Sequence, residues 1–332
     1  MNDSSWASVY VHGTGDLGHL ITGVIAPAMR KLTAEETVSR WFFLRYWEGG
    51  PHVRVRAATM PGGEAAVMTA LREALADWPM TPATLSAEEY RRVAVYLARA
   101  ESRDDFEQEL LPPGTVRAVP YLPEHDVYGE GETLEAAERH FVESSALALE
   151  VLESAPTAGI LRGLALSVNL MTLADHEPDL GKLSAAFAEA GNQGFQDTVG
   201  PARVSPDVMA QMNESYLRAR EQVQAEIARA WRIAGVVEKA DPLARWIVSI
   251  RALREALEAA GDKFDISPAG SPHAWYLSRL DPARRSVASV LLRCTHLFDN
   301  RIGVTTPDEI HIGYLVARAL AEHGSAGNGR VR

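Results

Sequence analysis

A helix near the C-terminal end of the chain carries the polar residues best suited to acid–base chemistry. The stretch 281–298 begins with Asp281 and a proline, a common start for a helix, and polar residues then recur every three or four positions. This spacing predicts one helical face made of Ser286, Ser289, Arg293, His296 and Asn300. Histidine exchanges protons near neutral pH, and the other four side chains can donate hydrogen bonds. The alternative is a solvent-exposed face, although such faces usually contain lysine and glutamate.

A second set of cationic residues lies in the alternating stretch Ser39–Ala57. The glycines and proline at 49–51 predict a hairpin between two strands. Because strand side chains alternate between the faces of a sheet, the second strand places His52, Arg54 and Arg56 opposite Val53, Val55 and Ala57. The basic face either meets solvent or lines a pocket for an anionic group, and the pattern alone leaves both open.

The elements that position these residues predict an α+β fold. Their order, β-α-β-β-α-(inserted helix)-β, indicates an N-terminal split βαβ antiparallel sheet covered by helices, and a mainly helical C-terminal half follows. We predict a single domain, 1–332, with a sheet part (1–130), a helical part (131–324) and a flexible tail (325–332). The helices of the second part are expected at 133–153, 158–174, 180–189, 206–233, 242–260, 281–298 and 307–322, with a long loop at 192–206.

Within the sheet part, a strand at 7–12 precedes a helix at 16–31 that Pro27 is expected to interrupt, and the last strand is expected at 115–122. The glycines at 13–18, GTGDLG, fit the G-x-G-x-x-G fingerprint of dinucleotide-binding proteins. The next two strands form a hairpin rather than a parallel crossover, however, so we expect no nucleotide or other cofactor.

The composition excludes several classes of protein. The chain has 332 residues, 46% of them hydrophobic, and a net charge of −11, which argues against nucleic acid as a partner. No apolar run reaches the roughly 18 residues of a membrane span, and no secretion signal is visible, so we expect a cytoplasmic protein. Cys294 is the single cysteine and the histidines lack the spacing of metal ligands, so neither a disulfide nor a metal site is expected.

Three blocks of the sequence resemble the lantibiotic-dehydratase C-terminal, or thiopeptide-type bacteriocin biosynthesis, family. Residues 41–57, WFFLRYWEGGPHVRVRA, resemble its W-F-F-I-R-Y-x-D-P-x-P-H-L-R-L-R signature. Residues 121–145, YLPEHDVYGEGETLEAAERHFVESS, resemble its Y-x-P-E-x-x-R-Y-G-G…A-E-x-x-F-x-x-D-S block. Residues 296–303, HLFDNRIG, resemble its H-M-x-x-N-R-L-G motif. The blocks occur in the family's order and cover most of the chain.

The resemblance implies one of three functions. Elimination domains of the family expel glutamate from glutamylated Ser or Thr to leave dehydroamino acids. A free-standing relative, the thiopeptide pyridine synthase, joins two dehydroalanines of an azole-bearing peptide in a formal [4+2] aza-cycloaddition, with loss of water and leader peptide. We expect this chain to be free-standing and without a glutamylation domain. The family arginine of R-Y-G-G is replaced by Val127 and the second glycine by Glu130, which favours the synthase over a split elimination lyase. A non-catalytic peptide-binding subunit is the third possibility.

The synthase resemblance also implies roles for residues. His296 would carry protons, and Arg54, Ser286, Ser289 or Tyr276 would polarise an amide oxygen across a pocket between the predicted helix face and the hairpin arginines. The groups expected to bind substrate are Arg56, Arg45, Arg293 and Asn300, with Tyr128 and Trp275 stacking on azole rings and Tyr314 as a further candidate.

The expected partner is a ribosomally made precursor peptide with a leader and a dehydrated core, along with other enzymes of the same pathway. Arginines on the helices at 206–233 and 242–260 would line a groove for an acidic leader, or else would belong to ordinary solvated helix faces.

Overall fold

The computed structural model describes residues 5–80, 85–100, 103–199, 205–236, 243–261, 277, 280 and 282–328. It confirms the α+β class, with a four-stranded sheet followed by a helical half. The strands are β1 (Ser5–His12), β2 (Val38–Tyr46), β3 (His52–Thr59) and β4 (Val116–Ala118). The helices are α1 (Leu17–Leu20), α2 (Ala26–Ala34), α3 (Glu64–Ala76), α4 (Ala87–Ala100), α5 (His125–Tyr128), α6 (Glu132–Glu153), α7 (Ala158–His176), α8 (Leu180–Val199), α9 (Pro206–Gly235), α10 (Ala244–Ala260), α11 (Pro282–Ile302) and α12 (Thr306–Asn328).

The sheet has the strand order β2-β3-β1-β4, and every neighbouring pair is antiparallel. The β2–β3 turn requires Gly49 and Gly50, whose φ angles of 75° and 102° lie in the left-handed region. Val53 and Val55 are fully buried, which confirms the valine face of the hairpin. The opposite face brings Tyr10 beside Arg54 in the register of β1 and β3.

The first helical segment differs from the prediction at Pro27. A π-helical segment, Ile21–Ile25, joins α1 to α2, and Pro27 lies in the first turn of α2. Proline lacks an amide hydrogen and crowds the carbonyl four residues before it, and the wider π turn accommodates both effects. The segment therefore continues past Pro27.

Three other boundaries differ from the sequence prediction. Helix α8 runs to Val199, so the first part of the loop predicted at 192–206 is helical, while 200–204 lies outside the described residues. Strand β4 has three residues rather than the eight predicted at 115–122. Helix α12 reaches Asn328, beyond the predicted end at 322. Helices α8 and α12 pack along each other, and this tertiary packing outweighs the low helix propensity of their glycines.

The chain divides into two compact units. The first contains Met1–Pro123, Ser145–Pro156 and Asn300–Gly303, and the second contains the remaining residues. Among the described helices, none combines the length and apolarity that crossing a bilayer requires.

Within the first unit, side chains from distant parts of the chain cover the edge strand β2. Asn300 accepts from the Arg45 amide at 2.9 Å and donates to the Arg45 carbonyl at 3.0 Å. Ser145 Oγ accepts from the Phe43 amide at 3.2 Å, and Arg301 Nε donates to the Phe43 carbonyl at 2.8 Å. These bonds satisfy backbone groups that an open sheet edge would leave available for another strand.

Candidate functional site

Arg54, predicted to polarise a substrate amide, already contacts a carboxylate of the chain. Its Nη2 lies 3.3 Å from Oε2 of Glu48, and its guanidinium carbon lies 3.3 Å from the ring centroid of Tyr46. Arg103 binds the same carboxylate through both terminal nitrogens, each at 3.0 Å. Burial would raise the pKa of Glu48, but these arginines and the Glu107 amide outweigh it and hold that pKa below its usual range. Arg54 thus already contacts a carboxylate of the chain, which it shares with Arg103.

Arg56 lies farther along the same face, and its contacts are aromatic. Its guanidinium carbon lies 5.2 Å from the Tyr10 ring centroid and 5.6 Å from that of Tyr121. Its hydrogen bonds, to the Tyr10 hydroxyl and the Val55 carbonyl, are long at 3.4 Å. Among the described residues, no carboxylate lies within ion-pair distance of Arg56. Because arginine stays charged, this half-buried cation is the one of the pair better suited to a substrate carbonyl or carboxylate.

The two histidines at the end of this face are neutral. His52 is buried, donates from Nδ1 to the Gly50 carbonyl at 3.0 Å and accepts at Nε2 from Arg54 Nε at 3.4 Å. Burial lowers the pKa of His52 to about 3, and it lowers that of His12, whose ring centroid lies 4.6 Å from that of His52, to about 4. Neither imidazole is a proton carrier at neutral pH.

In the second unit, His296 on α11 forms a pair with a carboxylate that the sequence analysis did not identify. Its Nδ1 donates to Oε2 of Glu309 on α12 at 2.8 Å. This bond orients the ring and leaves Nε2 available for a ligand. The side chain of His296 is 53% exposed. Burial by the surrounding atoms lowers its pKa, but the hydrogen bond and charge of Glu309 outweigh this effect, and the pKa is raised.

One turn along α11, Asp299 is 3% exposed and faces Asn169 of α7. The Asn169 amide donates to its Oδ2 at 3.4 Å, and within the described part of the chain its Oδ1 has no hydrogen-bond partner. Burial, followed by the charge of Glu309, raises the pKa of Asp299 to about 8. Asp299 is thus a buried carboxyl group, one turn after His296, whose burial favours its neutral form.

Arg293 and Tyr128, both predicted to bind substrate, contact each other. Arg293 Nε donates to the Tyr128 hydroxyl at 3.2 Å, and its Nη2 pairs with Glu124 at 2.6 Å. Tyr128 is 3% exposed and packs edge-on against Phe141 at 5.0 Å. The tyrosine ring is thus part of the core, while Arg293 remains near the surface.

The remaining predicted residues fall into three groups. Ser286 is buried, Ser289 is half-buried, and Tyr314 is buried with its hydroxyl bonded to Asn213 at 3.3 Å. Trp275 and Tyr276 lie outside the described residues. Arg45 and Asn300 are engaged in the structure of β2, and the guanidinium of Arg45 also donates to the Arg301 carbonyl at 3.0 Å. Their roles toward a substrate stay predictions, as does the shared pocket.

Comparison with protein families matches residues 6–320 to the family described as lantibiotic biosynthesis dehydratase, C-terminal. The chain belongs to this family. All three sequence blocks lie within the matched range. Comparison with curated protein sequences gives no match.

Comparison with solved structures finds proteins with a similar fold. The pyridine synthase TbtD from thiomuracin biosynthesis matches with a TM-score of 0.71 at 20% identity, covering 97% of this chain and 99% of TbtD. TsrL matches with a TM-score of 0.63 at 21% identity, covering 97% and 96%. The tRNA-dependent lantibiotic dehydratase MibB from Microbispora sp. 107891 matches with a TM-score of 0.53 at 16% identity, covering 98% of this chain and 28% of MibB. These likenesses show a shared fold.

The family blocks account for several of these contacts. Asn300 and Arg301 of the third block bond to the backbone of β2 in the first block. His296 of the third block bonds to Glu309, which lies beyond all three blocks, and Asp299 of the third block follows His296 by one turn. In the described part of the chain, no set of three or more His, Cys, Asp or Glu residues is arranged to hold a metal ion.

Proposed function

We propose that this protein is a pyridine-forming cyclase that acts on a leader-bearing, azole-containing peptide with two dehydroalanines. The observation that carries the proposal is the oriented imidazole of His296, held by Glu309 at 2.8 Å with Nε2 available. Full-length likeness to the fold of the pyridine synthase TbtD supports it.

The proposed reaction depends on a change of tautomer. One dehydroalanine and the neighbouring amide, in its imidic form, supply the diene C=C–N=C, and the second dehydroalanine supplies the dienophile. Two carbon–carbon bonds form, and loss of water and then of the leader peptide leaves the aromatic ring. Holding the two partners in contact lowers the barrier by several kcal/mol.

His296 is the proton carrier in this proposal. Tautomerisation, loss of water and release of the leader each move a proton, and a positioned acid–base group typically accelerates such a step about 10²–10⁴-fold. Glu309 raises the pKa of the imidazole, so a larger share of the molecules holds the proton needed to protonate a leaving group.

Arg56 is the preferred donor to a substrate oxygen in this proposal. Arg54 shares Glu48 with Arg103, whereas the described contacts of Arg56 are aromatic or long hydrogen bonds. This proposal therefore exchanges the roles that the sequence suggested for the two arginines. Arg56 would contact the substrate oxygen directly, and Arg54 would belong to the ion-pair network beside it.

Glutamate elimination is the second candidate function, because Arg56, which has no carboxylate within ion-pair distance among the described residues, also suits a departing glutamate. The position where the family carries an arginine holds half-buried Val127 on α5. Valine has no group to hold a carboxylate, and Glu130 nearby would repel one. These two residues favour the cyclase.

Intact-mass analysis of peptide products tests the proposal. The protein should convert a dehydrated linear peptide into a macrocycle plus released leader, and His296→Ala should slow this conversion by about 100-fold or more. His323→Ala, at an exposed histidine of α12, is the matched control and should keep normal turnover. Loss of glutamate from a glutamylated peptide would instead establish the lyase. If cognate peptides gave neither product, the remaining function would be that of a peptide-binding subunit.

A further inference from the structure

Asp299 is a buried carboxyl group in surroundings that do not balance a negative charge. Its side chain contacts Asn169, whose amide nitrogen lies 3.4 Å from Oδ2 and also donates to the Ala165 carbonyl at 2.9 Å. Oδ1 is enclosed and, among the described residues, has no hydrogen-bond partner. Burying an ionised carboxylate under these conditions costs far more than burying the neutral acid.

A second buried aspartate in the same unit has different surroundings. Asp175 is 5% exposed, and it accepts from Arg251 Nε at 2.6 Å and from Arg254 Nε at 2.8 Å. Two arginine forks thus compensate its charge. Asp299 has one neutral amide in their place.

The charged groups around Asp299 belong to the proposed acid–base pair. On α11, His296 lies three residues away on the same side of the helix, and on α12 Glu309 bonds the His296 imidazole. Both interact electrostatically with Asp299. Arg293, a turn before His296, is bonded to Glu124. On α7 the facing residue is the neutral Asn169.

We propose that Asp299 is a positioning residue for His296: it remains a neutral carboxylic acid beside the His296–Glu309 pair and so prevents a second negative charge from holding the proton on the imidazole. Burial and the nearby charge of Glu309 both favour this state, and the pKa of Asp299 is raised to about 8. If Asp299 ionised, two carboxylates would stabilise one imidazolium, and every step in which His296 releases a proton would slow. This catalytic consequence rests on the proposed function; the coupling between the two groups does not.

The coupling is measured by NMR titration of the His296 imidazole in the intact protein between pH 5 and 10. In the wild type, the His296 signals should shift in two steps, its own titration and a second near pH 8. Asp299→Asn, an isosteric and permanently neutral variant, should abolish the second step. Asp308→Asn, which removes the carboxylate beside Glu309 in sequence, should keep it. A wild type without the second step, or a second step that persists in Asp299→Asn, would overturn the proposal.

Two further measurements guard against ambiguous outcomes. If Asp299→Asn does not fold, Asp299→Ser provides a smaller neutral side chain for the same titration. In turnover assays, a group with a pKa of about 8 is about nine-tenths ionised at pH 9, so wild-type turnover should fall up to about tenfold between pH 7 and pH 9. In the Asn variant only the titration of His296 itself remains, so the decline between pH 7 and pH 9 should be smaller than in the wild type. A protein that makes no macrocycle but shows the coupled titration would refute the proposed function and leave the inference intact.

Discussion

Replacing Glu48 by glutamine should destabilise the first unit, although the substitution only exchanges a carboxylate oxygen for an amide nitrogen. The Glu48 carboxylate receives Arg103 at 3.0 Å on both oxygens, Arg54 at 3.3 Å and the Glu107 amide at 3.1 Å. Glutamine keeps one acceptor oxygen. If its amide nitrogen replaces Oε2, its hydrogens face the nitrogens of Arg54 and Arg103 that bonded to that oxygen. Arg54 and Arg103 then lose their ion pairs with this carboxylate, and removing one partner of a half-buried ion pair is costly.

The size of the effect follows from the burial of the partners. A hydrogen bond to a charged group contributes about 1.5–3 kcal/mol, and the side chains of Glu48, Arg54 and Arg103 are 17%, 19% and 35% exposed. Solvent screening of the more exposed Arg103 reduces the summed contribution of these hydrogen bonds. We therefore expect the free energy of unfolding to fall by about 2–3 kcal/mol. The unfolding entropy is about 2 cal/mol/K per residue. Summed over the 332 residues of the chain, it converts this loss into a fall in Tm of roughly 3–4 °C.

The pH dependence of this loss provides a second test. The folded-state pKa of Glu48 is lowered, so its stabilising contribution is present above the unfolded pKa and is lost as pH falls through the folded pKa. Wild type and Glu48→Gln should therefore differ at pH 7 and converge in acid. Urea unfolding at several pH values measures the difference.

Glu107→Gln is the matched control for this experiment. Glu107 is also near the sheet, but its ion pair with Arg117 is 3.8 Å long and one-third exposed. Its loss should cost under about 1 kcal/mol. Equal destabilisation by the two variants, or a difference that does not narrow in acid, would show that the Glu48 network does not stabilise the unit as argued.

Two other substitutions test the remaining contacts. Glu309→Gln should lower the pKa of His296 and reduce turnover about 10–100-fold, because the raising interaction is removed; a pH–rate profile identical to that of the wild type would contradict this. Asn300→Ala should cost about 1–3 kcal/mol by leaving the Arg45 amide and carbonyl without their partner, as measured by urea unfolding. Asn300→Asp retains the acceptor and should recover part of the loss, and an equal loss in both variants would argue against the paired bonds.

Much of the fold could be predicted because it depends on local patterns. The two-residue alternation of Ser39–Ala57 and the glycine pair at its centre determine the hairpin, and helical periodicity located the long helices of the second half. The predicted boundaries are wrong where tertiary packing determines where a helix ends. Helix α8 extends to Val199 through glycine-containing sequence because it packs along α12, and Pro27 is accommodated by a π turn that no local rule demands.

The candidate site was predicted only in part for the same reason. The spacing of polar residues drew attention to His296, but its partner Glu309 lies on the next helix, and a contact across 13 residues and a turn leaves no periodic signal. Asp299 was not predicted, although it follows His296 by one turn and is the neighbour of the buried Phe298, which places it at the border between the polar and the buried sides of the helix. No local pattern indicates the role of Glu48, because its arginine partners come from β3 and from a segment 55 residues away.

The covered edge of β2 has a consequence for synthesis of the protein on the ribosome. Asn300 bonds to a residue 255 positions earlier in the chain, and at typical elongation rates that interval takes roughly 10–50 s. Throughout that time the hairpin exists with an open edge strand rich in aromatic residues, which invites pairing with other nascent chains. The third family block thus completes a sheet whose first strand emerged long before, and a ribosome that stalls ahead of it would release an aggregation-prone fragment.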